Sequence, residues 1–440
     1  MDHLLLRTGK RAVLIADVSA SADGHGIGYG IMLKRFDKAL SYAQASGLSL
    51  FFVRESPINR IVFRLESDDV RIVPRRGLPR LLLTAIWHLA APFRIGAPWL
   101  WLQWTAARLV VGQLYARVER SGRVPASIRR FVVRPRPLYA ALKRASAEYA
   151  RRSDAAWKTR VKARDPGRRR DPRRPPPLSR RLRLPSSLEK EALASAARVG
   201  IEPSARLVTV HVRESGYRAT AGLRQREWDD LRNARIETYH KAFAALVTRG
   251  FTVVRLGDRT MTGVTMPGVV DLATSPARTE ALEAWCVLRS HFLIGSDSGP
   301  SWLAFLLGVP VLTVNALHLR DVLRPCDRMI CKLVRDRVTG RPLSLTDMLA
   351  PSFLRNGLRT DLYEHLDNTP QDIKHAALDM VDVVEGQTKL VHDQRQFNKM
   401  LTAAGRELPN DWTGLQGIAL LRRPKGALSR RFARRYLSRA

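Results

Sequence analysis

Short apolar runs alternate with longer amphipathic stretches through the second half of the chain. The runs at residues 206–212 and 291–296 have strand length and end in small polar or charged residues, which is typical of buried strands. Between them, residues 236–250 carry apolar side chains at helical spacing, and Gly250 closes the pattern. This alternation predicts an α/β fold with a parallel, doubly wound sheet.

The remaining elements of this half follow the same alternation. Strands are predicted at 251–258, 268–273 and 309–315, and helices at 278–290, 301–308 and 369–382. The last helix begins with Thr369 as its cap, directly before Pro370.

The first part of the chain has a sparser α/β pattern. The apolar stretch near the N-terminus lacks the order of a signal peptide and predicts a first buried strand. Strands are expected at 11–19, 48–53 and 60–65, with a helix at about 31–45.

Residues 81–107 are apolar and rich in tryptophan, and only Arg94 interrupts them with a charge. A spanning helix needs about 20 continuous apolar residues, so Arg94 between Pro92 and Pro98 argues against a single span. The segment predicts either two core helices or a stretch lying in the membrane interface.

The net charge of +35 is concentrated in two places. Residues 151–184 hold 14 basic and 3 acidic side chains, and residues 421–440 hold 8 basic and none acidic. Both segments are expected to be mobile, and the second could form a basic amphipathic helix. Such segments attract anionic lipid or nucleic acid, but the chain contains no nucleic-acid-binding module that would favour the latter.

Composition and length divide the chain into four predicted regions. The predicted regions are 1–120 (N-terminal α/β domain), 121–190 (basic linker or insert), 191–385 (C-terminal α/β domain) and 386–440 (helices and basic tail).

The three cysteines form neither a disulfide framework nor a metal-ligand spacing, which indicates a reducing environment. A cytoplasmic protein is therefore expected, with possible peripheral contact to the inner face of the membrane.

Ligands of a doubly wound sheet bind outside the carboxyl ends of its strands, and the loop at residues 295–301 has the composition of an anion site. Pro300 suits the first position of a helix, with Ser298 or Gly299 as N-cap. The first amides of that helix would face an anion at the positive end of its dipole. The predicted contacts are Ser296, Asp297, Ser298, Gly299 and Ser301, with Asp297 ordering the loop. The alternative is a set of residues that merely cap a buried helix.

Two further strand ends carry basic residues that could reach the same edge. His211 and Arg213 end one strand, and Arg255 and Gly257 end the next. An arginine there can offer a two-pronged donor to a diphosphate, although Arg213 could equally form a salt bridge, for example with Glu214.

A segment just before a helix supplies two more candidates. Arg232 and Asn233 could face that edge, or they could cap the helix. Asn233 is included among the predicted donor-binding residues.

The motifs "HVRES", "RNARIETYHKAF", "FTVVRLGD", "GSDSGPSWLAFLLGVPVLTVN" and "NTPQDI", in this order, resemble a family of bacterial glycosyltransferases of the GT-B type. That family is distantly similar to lipopolysaccharide heptosyltransferases and to fucosyltransferases with an H-x-R strand. The resemblance covers roughly residues 206–384. It implies two Rossmann-like domains and metal-independent transfer, with Arg213 on the donor diphosphate and Ser298, Gly299 and Ser301 cradling it.

The N-terminal domain departs from the family pattern, because the apolar segment and the basic insert replace some of its strands. Related enzymes place acceptor-binding and base residues in the loop after the first strand. The resemblance therefore suggests Asp23 or His25 as the general base, the alternative being a glycine-rich turn with two solvated side chains.

These observations predict a glycosyltransferase that moves a sugar from a nucleoside-diphosphate sugar to a surface-glycan or lipid-linked acceptor, with no metal and no cofactor. The basic segments 151–184 and 421–440 would hold it against an anionic membrane surface. The alternatives are a basic nucleic-acid-binding protein and a sugar-nucleotide epimerase or hydrolase on the same fold.

Overall fold

The computed structural model describes residues 2–8, 11–17, 29–45, 47–52, 60–67, 70–73, 81–86, 182–217, 227–319, 324–387, 392–408 and 426–437. The chain divides into two compact units. The first comprises Met1–Ile27, Arg35–Pro57 and Asp69–Arg169, and the second comprises Gly28–Lys34, Ile58–Asp68 and Arg170–Ala440.

The first unit contains a three-stranded sheet. Strands β1 (Asp2–Thr8) and β2 (Arg11–Asp17) form an antiparallel hairpin, and β3 (Ser49–Phe52) pairs with β2 in parallel. Helix α1 (Tyr29–Ala45) precedes β3, and Phe36 stacks on Phe52 with ring centroids 4.6 Å apart. The helix stops there because Gly47 takes a positive φ of 62°, which lets the chain turn into β3.

The second unit is built on a seven-stranded parallel sheet. Its strands are β6 (Leu207–His211), β7 (Thr252–Arg255), β8 (Val269–Asp271), β9 (Ser290–Gly295), β10 (Val311–Ala316), β11 (Arg328–Cys331) and β14 (Ala427–Leu428). Two small antiparallel sheets accompany it: β4 (Glu66–Ser67) with β5 (Leu182–Arg183), and β12 (Leu333–Asp336) with β13 (Tyr363–Leu366).

The order of strands across the large sheet is β14-β11-β10-β9-β6-β7-β8. From β6 the chain runs outward through β7 to β8, then returns to β9 on the other side of β6 and runs outward the other way. The reversal lies between β6 and β9, where neighbouring loops diverge and leave a crevice at the carboxyl ends. This confirms the predicted α/β, parallel and doubly wound architecture, which is Rossmann-like.

The helices of the second unit cover both faces of the sheet. They are α2 (Ser186–Arg198), α3 (His240–Thr248), α4 (Glu280–Arg289), α5 (Gly299–Leu306), α6 (Pro351–Asn356), α7 (Pro370–Val384), α8 (His392–Glu407) and α9 (Arg430–Leu437). Helices α3 and α7 pack together on one face, whereas α4 packs against α2 and α5 on the other.

The strands have the continuous apolar sequences that a sheet covered on both faces requires. Val208, Val210 and Phe292 of these strands are fully buried in one core, together with Phe243 of α3. Each such side chain contributes about 1.5–3 kcal/mol relative to an exposed one. Thr369 caps α7 as predicted, because its Oγ1 accepts the amide of Asp372 at 3.1 Å.

The basic C-terminal segment belongs to this core wherever it is described. Strand β14 adds to the edge of the sheet beside β11, and α9 buries Phe432 and Leu437. Arg430 pairs with Asp379 and Asp382 of α7. The expectation of a mobile tail is therefore wrong for residues 426–437, since the apolar face of the amphipathic helix packs on its own protein.

Two predictions for the first part of the chain also differ from the structure. Residues 60–65, expected as a strand, contain a 3-10 helix at Arg60–Arg64 that buries Ile61 and Val62. The amide of Ile61 donates to Glu280 at the start of α4, at 3.0 Å, which takes the place of a sheet partner. The apolar N-terminal stretch, expected as one strand, forms the hairpin of β1 and β2.

Of the tryptophan-rich stretch 81–107, the structure describes only residues 81–86, which are helical. Within the described ranges, none of the helices combines the length and the apolar character that crossing a membrane requires.

Candidate functional site

The candidate site lies at the reversal point of the sheet, where β6 and β9 end side by side. His211, the last residue of β6, stands opposite Gly295, the last residue of β9. Helix α5 begins four residues after Gly295, in a tight turn, so its N-terminus lies at the same edge.

The turn into α5 is held by its serines and by a glycine. Ser301 Oγ donates to the carbonyl of Ser296 at 2.8 Å. A side chain at Gly295 would collide with the Ser301 hydroxyl, so only glycine permits this close return of the helix over the strand. Gly295 is therefore required by the close packing of this turn.

Ser298 is the N-cap residue of α5, but its hydroxyl does not cap the helix. Ser298 Oγ instead lies 3.0 Å from His211 Nδ1, in a buried hydrogen bond. The first amides of α5 consequently receive no bond from the N-cap side chain, and the helix start keeps its attraction for an anion.

His211 is neutral at physiological pH. Burial, together with the positive charges of Arg213 and Arg255, lowers the pKa of the imidazole from 6.5 to about 4. A neutral ring can donate or accept the hydrogen bond with Ser298 and adds no charge to the site. The hydrogen bond between His211 and Ser298 connects the end of β6 to the start of α5.

Arg213 follows β6 and points to a carboxylate that the sequence analysis did not single out. Its Nη2 lies 3.6 Å from Asp229 Oδ1, and the Arg213 and Asp229 side chains are 13% and 1% exposed. Arg232 also bonds Asp229, and its Nη1 donates to the carbonyl of Asp297 at 3.2 Å. Arg213, Arg232 and the turn before α5 are thus joined through Asp229.

Arg255, in contrast, does not fit the prediction that it faces the donor. Its side chain is fully buried and bonds Glu214 at 2.7 Å and Asp271 at 3.0 Å. Its Nη1 also bonds the carbonyl of Thr262. The salt bridge weighed as the alternative for Arg213 is made with Asp229, whereas Glu214 pairs with Arg255. Arg255 is a structural residue of the β7 end.

Gly257 is required by packing. A Cβ at this position would overlap Met261 and Ala273, so the loop after β7 can fold back only if residue 257 has no side chain. That Gly257 contacts a donor stays a prediction.

Asn233 lies beside the site in a loop held by hydrogen bonds. Its Nδ2 donates to Asp230 Oδ1 at 3.0 Å, and its carbonyl accepts Lys332 Nζ at 3.2 Å. Asn233 Oδ1 and Ser296 Oγ are both buried without a hydrogen-bond partner among the described residues. Other buried polar atoms, such as the two ring nitrogens of His365 in β13, are also without a partner among the described residues, so this state does not by itself mark a ligand site.

Several predicted contacts are therefore brought together and others are not. His211, Arg213, Ser296, Asp297, Ser298, Gly299 and Ser301 share the reversal point, and Asp297 contributes its backbone carbonyl to the described contacts. Asp23 and His25 lie outside the described residues.

Asp229 was missed because one of its partners, Arg213, lies 16 residues earlier in the sequence, after β6. The one available signal was the spacing of Asp229 and Arg232, three residues apart, in a short helical turn.

Within the part of the chain that the structure describes, no cluster of histidine, cysteine and carboxylate side chains is arranged to hold a metal ion. Comparisons with protein-family models, with curated proteins and with solved structures found no match to this chain.

Proposed function

We propose that the protein is a glycosyltransferase that moves a sugar from a nucleoside-diphosphate sugar to a surface-glycan or lipid-linked acceptor. The observation that carries this proposal is the His211–Ser298 hydrogen bond, 3.0 Å long. It fastens the end of β6, two residues before Arg213, to the start of α5, at the edge of the sheet where ligands of doubly wound folds bind.

In the proposed reaction, an acceptor hydroxyl attacks the anomeric carbon of the sugar, and the bond from that carbon to the diphosphate oxygen breaks. The nucleoside diphosphate leaves with the bonding electrons, and its negative charge grows in the transition state. Arg213 and the α5 amides would stabilise that charge, which is the role a metal ion has in other transferases. The hydroxyl proton would pass to a base, for which Asp23 and His25 remain the sequence-based candidates.

Two side chains at this edge could contact the sugar or ribose of a donor if the loops around them open. Asn233 Oδ1 is an acceptor and the Ser296 hydroxyl can donate or accept. Hydroxyl groups of a ribose or a sugar would supply the missing partners. A buried polar atom left without one costs about 1–3 kcal/mol.

The first test is the thermal stability of the full chain with GDP, ADP and UDP. A ligand that binds the folded state raises the melting temperature, and we expect one of the three to do so. The rise should be lost in Arg213→Gln. The matched control is Arg359→Gln, since Arg359 is an exposed arginine that pairs with Asp361 in another region of the unit.

The outcomes separate the alternatives. No stabilisation by any of the three nucleotides, combined with steeply salt-dependent DNA binding, would favour a nucleic-acid-binding protein. Where a nucleotide does bind, product analysis with a panel of sugar nucleotides and acceptors separates transfer from hydrolysis or epimerisation of the donor.

We also propose that the protein acts at the inner face of the cytoplasmic membrane. Arg431, Arg434 and Arg435 form the exposed basic face of α9, while the apolar face of this helix is buried. Contact with lipid through α9 would therefore be electrostatic rather than insertive. Sedimentation with anionic vesicles should fall as salt rises, and salt-insensitive binding would contradict this.

A further inference from the structure

The start of the tryptophan-rich stretch is a short helix that carries no charged side chain on either face. On the inner face, Leu83 is buried against Phe51 of β3, and Ile86 packs on the same cluster. On the outer face, Leu81 is 67% exposed and Leu82 is 54% exposed. A surface helix of a globular protein normally carries polar side chains on that face, so the two leucines need a different explanation.

The chain that leads to this helix is fixed beside β3. The amide of Leu50 donates to the carbonyl of Arg71 at 2.9 Å, and the amide of Val73 donates to the carbonyl of Leu50 at 2.7 Å. Turning the outer face of the helix inward would break the packing of Leu83 on the sheet. The two leucines therefore stay on the surface of the first unit.

Exposure of large apolar side chains is rare elsewhere in the described residues. The other cases are Leu193 and Val338, which lie in different segments of the second unit. Single exposed apolar residues are normal on protein surfaces. Two adjacent leucines on one helix form a continuous apolar surface, and such surfaces mark contacts with a partner or a membrane.

The sequence on both sides of the helix has the composition of a membrane interface. Residues 71–80 include four arginines and residues 87–104 include four tryptophans, and neither range contains an acidic residue. Arginine is attracted to anionic headgroups, and tryptophan favours the headgroup level. A stable protein partner would need a complementary surface of about 1,000 Å² or more, whereas a bilayer accepts two leucines without one.

We propose that Leu81 and Leu82 insert into the apolar edge of a lipid bilayer, so that the first unit contacts the membrane through apolar side chains. The contact is interfacial, because the helix is far shorter than a membrane span. This inference goes beyond the electrostatic contact proposed for α9, since it uses other residues and does not require anionic lipid. It is also independent of the proposed transfer reaction.

Sedimentation of the full chain with neutral phosphatidylcholine vesicles tests the proposal, because these vesicles do not attract the arginines of α9. The wild type should bind them, and the binding should persist at high salt. Leu81→Ser combined with Leu82→Ser should weaken it at least about tenfold, since burial of one leucine side chain changes a partition constant by about that factor. Val338→Ser is the matched control, since Val338 is 81% exposed, and should bind like the wild type.

A second variant separates this contact from that of α9. Arg434→Gln should weaken binding to anionic vesicles at low salt and leave binding to neutral vesicles unchanged. With anionic vesicles, the binding of the wild type should fall with salt to the level measured on neutral vesicles, because only the electrostatic part is screened.

Three results would overturn the proposal. The first is a wild type that does not bind neutral vesicles, and the second is equal binding by the double leucine variant. The third is a wild-type dimer that becomes a monomer in the double variant, measured by light scattering, since Leu81 and Leu82 would then contact a second copy of the chain. Each of these results leaves the nucleotide test of the proposed function unaffected.

Discussion

Arg213 and Arg255 stand at the ends of neighbouring strands, β6 and β7, yet their surroundings differ. Arg213 is 13% exposed and shares one carboxylate, that of Asp229, with Arg232. Arg255 is fully buried between two carboxylates, those of Glu214 and Asp271. The comparison shows that the role of an arginine at a strand end depends on the acidic side chains that neighbouring segments place beside it.

The largest expected effect is at the β7 end. Arg255→Met would leave two carboxylates without their cation, and breaking a buried pair costs about 3–5 kcal/mol. We expect the free energy of unfolding in urea to fall by that amount. Arg255→Met combined with Glu214→Gln and Asp271→Asn should recover part of it. A loss below about 1 kcal/mol in the single variant would mean that the ion pairs are dispensable.

The next effect concerns His211, whose pKa is influenced by both arginines. Because its pKa is lowered from 6.5 to about 4 in the folded protein, the unfolded chain takes up the proton first as pH falls. The free energy of unfolding should therefore decrease from pH 6.5 to pH 4, by about 3 kcal/mol for this residue, and level off below.

Comparison of urea unfolding at several pH values in wild type and His211→Asn isolates that contribution. His365 and His375, whose pKa values are also lowered by burial, remain in both proteins and cancel. Identical pH slopes in the two proteins would contradict the assignment.

A third prediction tests whether the loop after β7 is a packed structure. Gly257→Ala would force a methyl group against Met261 and Ala273 and should cost about 1–3 kcal/mol of unfolding free energy. Gly263→Ala is the matched control in the same loop, since the added methyl group would lie 3.9 Å from its nearest neighbour, Thr274 Cγ2. Equal stability of the two variants would show that the loop relaxes easily.

The smallest stability effect is expected at the β6 end. Arg213→Gln leaves Asp229 bonded to Arg232, so the unfolding free energy should fall by less than in Arg255→Met, which leaves two carboxylates without their cation. The same variant should lose stabilisation by the nucleotide. Destabilisation comparable with that of Arg255→Met would remove the contrast between the two strand ends.

Much of the second unit was predictable because its signals are local. Apolar runs of strand length, helical spacing and a capping threonine depend only on neighbouring residues, and β6, β9 and α7 were predicted within a few residues. The glycine and serines before α5 also carried a local signal, since a tight turn into a helix favours small residues.

The rest depended on partners distant in sequence. Alternation in β7 could not reveal that Glu214 and Asp271 would enclose Arg255, and no pattern linked Asp229 to Arg213. Residues 60–65 had the apolar content of a strand, but without a neighbouring strand they form a 3-10 helix against α4. Strand β14 has only two residues, which is too short for a periodicity to show.

The position of β14 has a consequence for how this unit is made. The pairing of Ala427 and Leu428 with Arg328 and Met329 completes the sheet with residues synthesised long after the rest of it. Until they leave the ribosome, the edge of β11 is open to pairing with other chains, and the surface that Phe432 and Leu437 cover is exposed to water. The nascent unit would therefore expose an unpaired strand edge and an apolar surface until residues 426–437 have been synthesised.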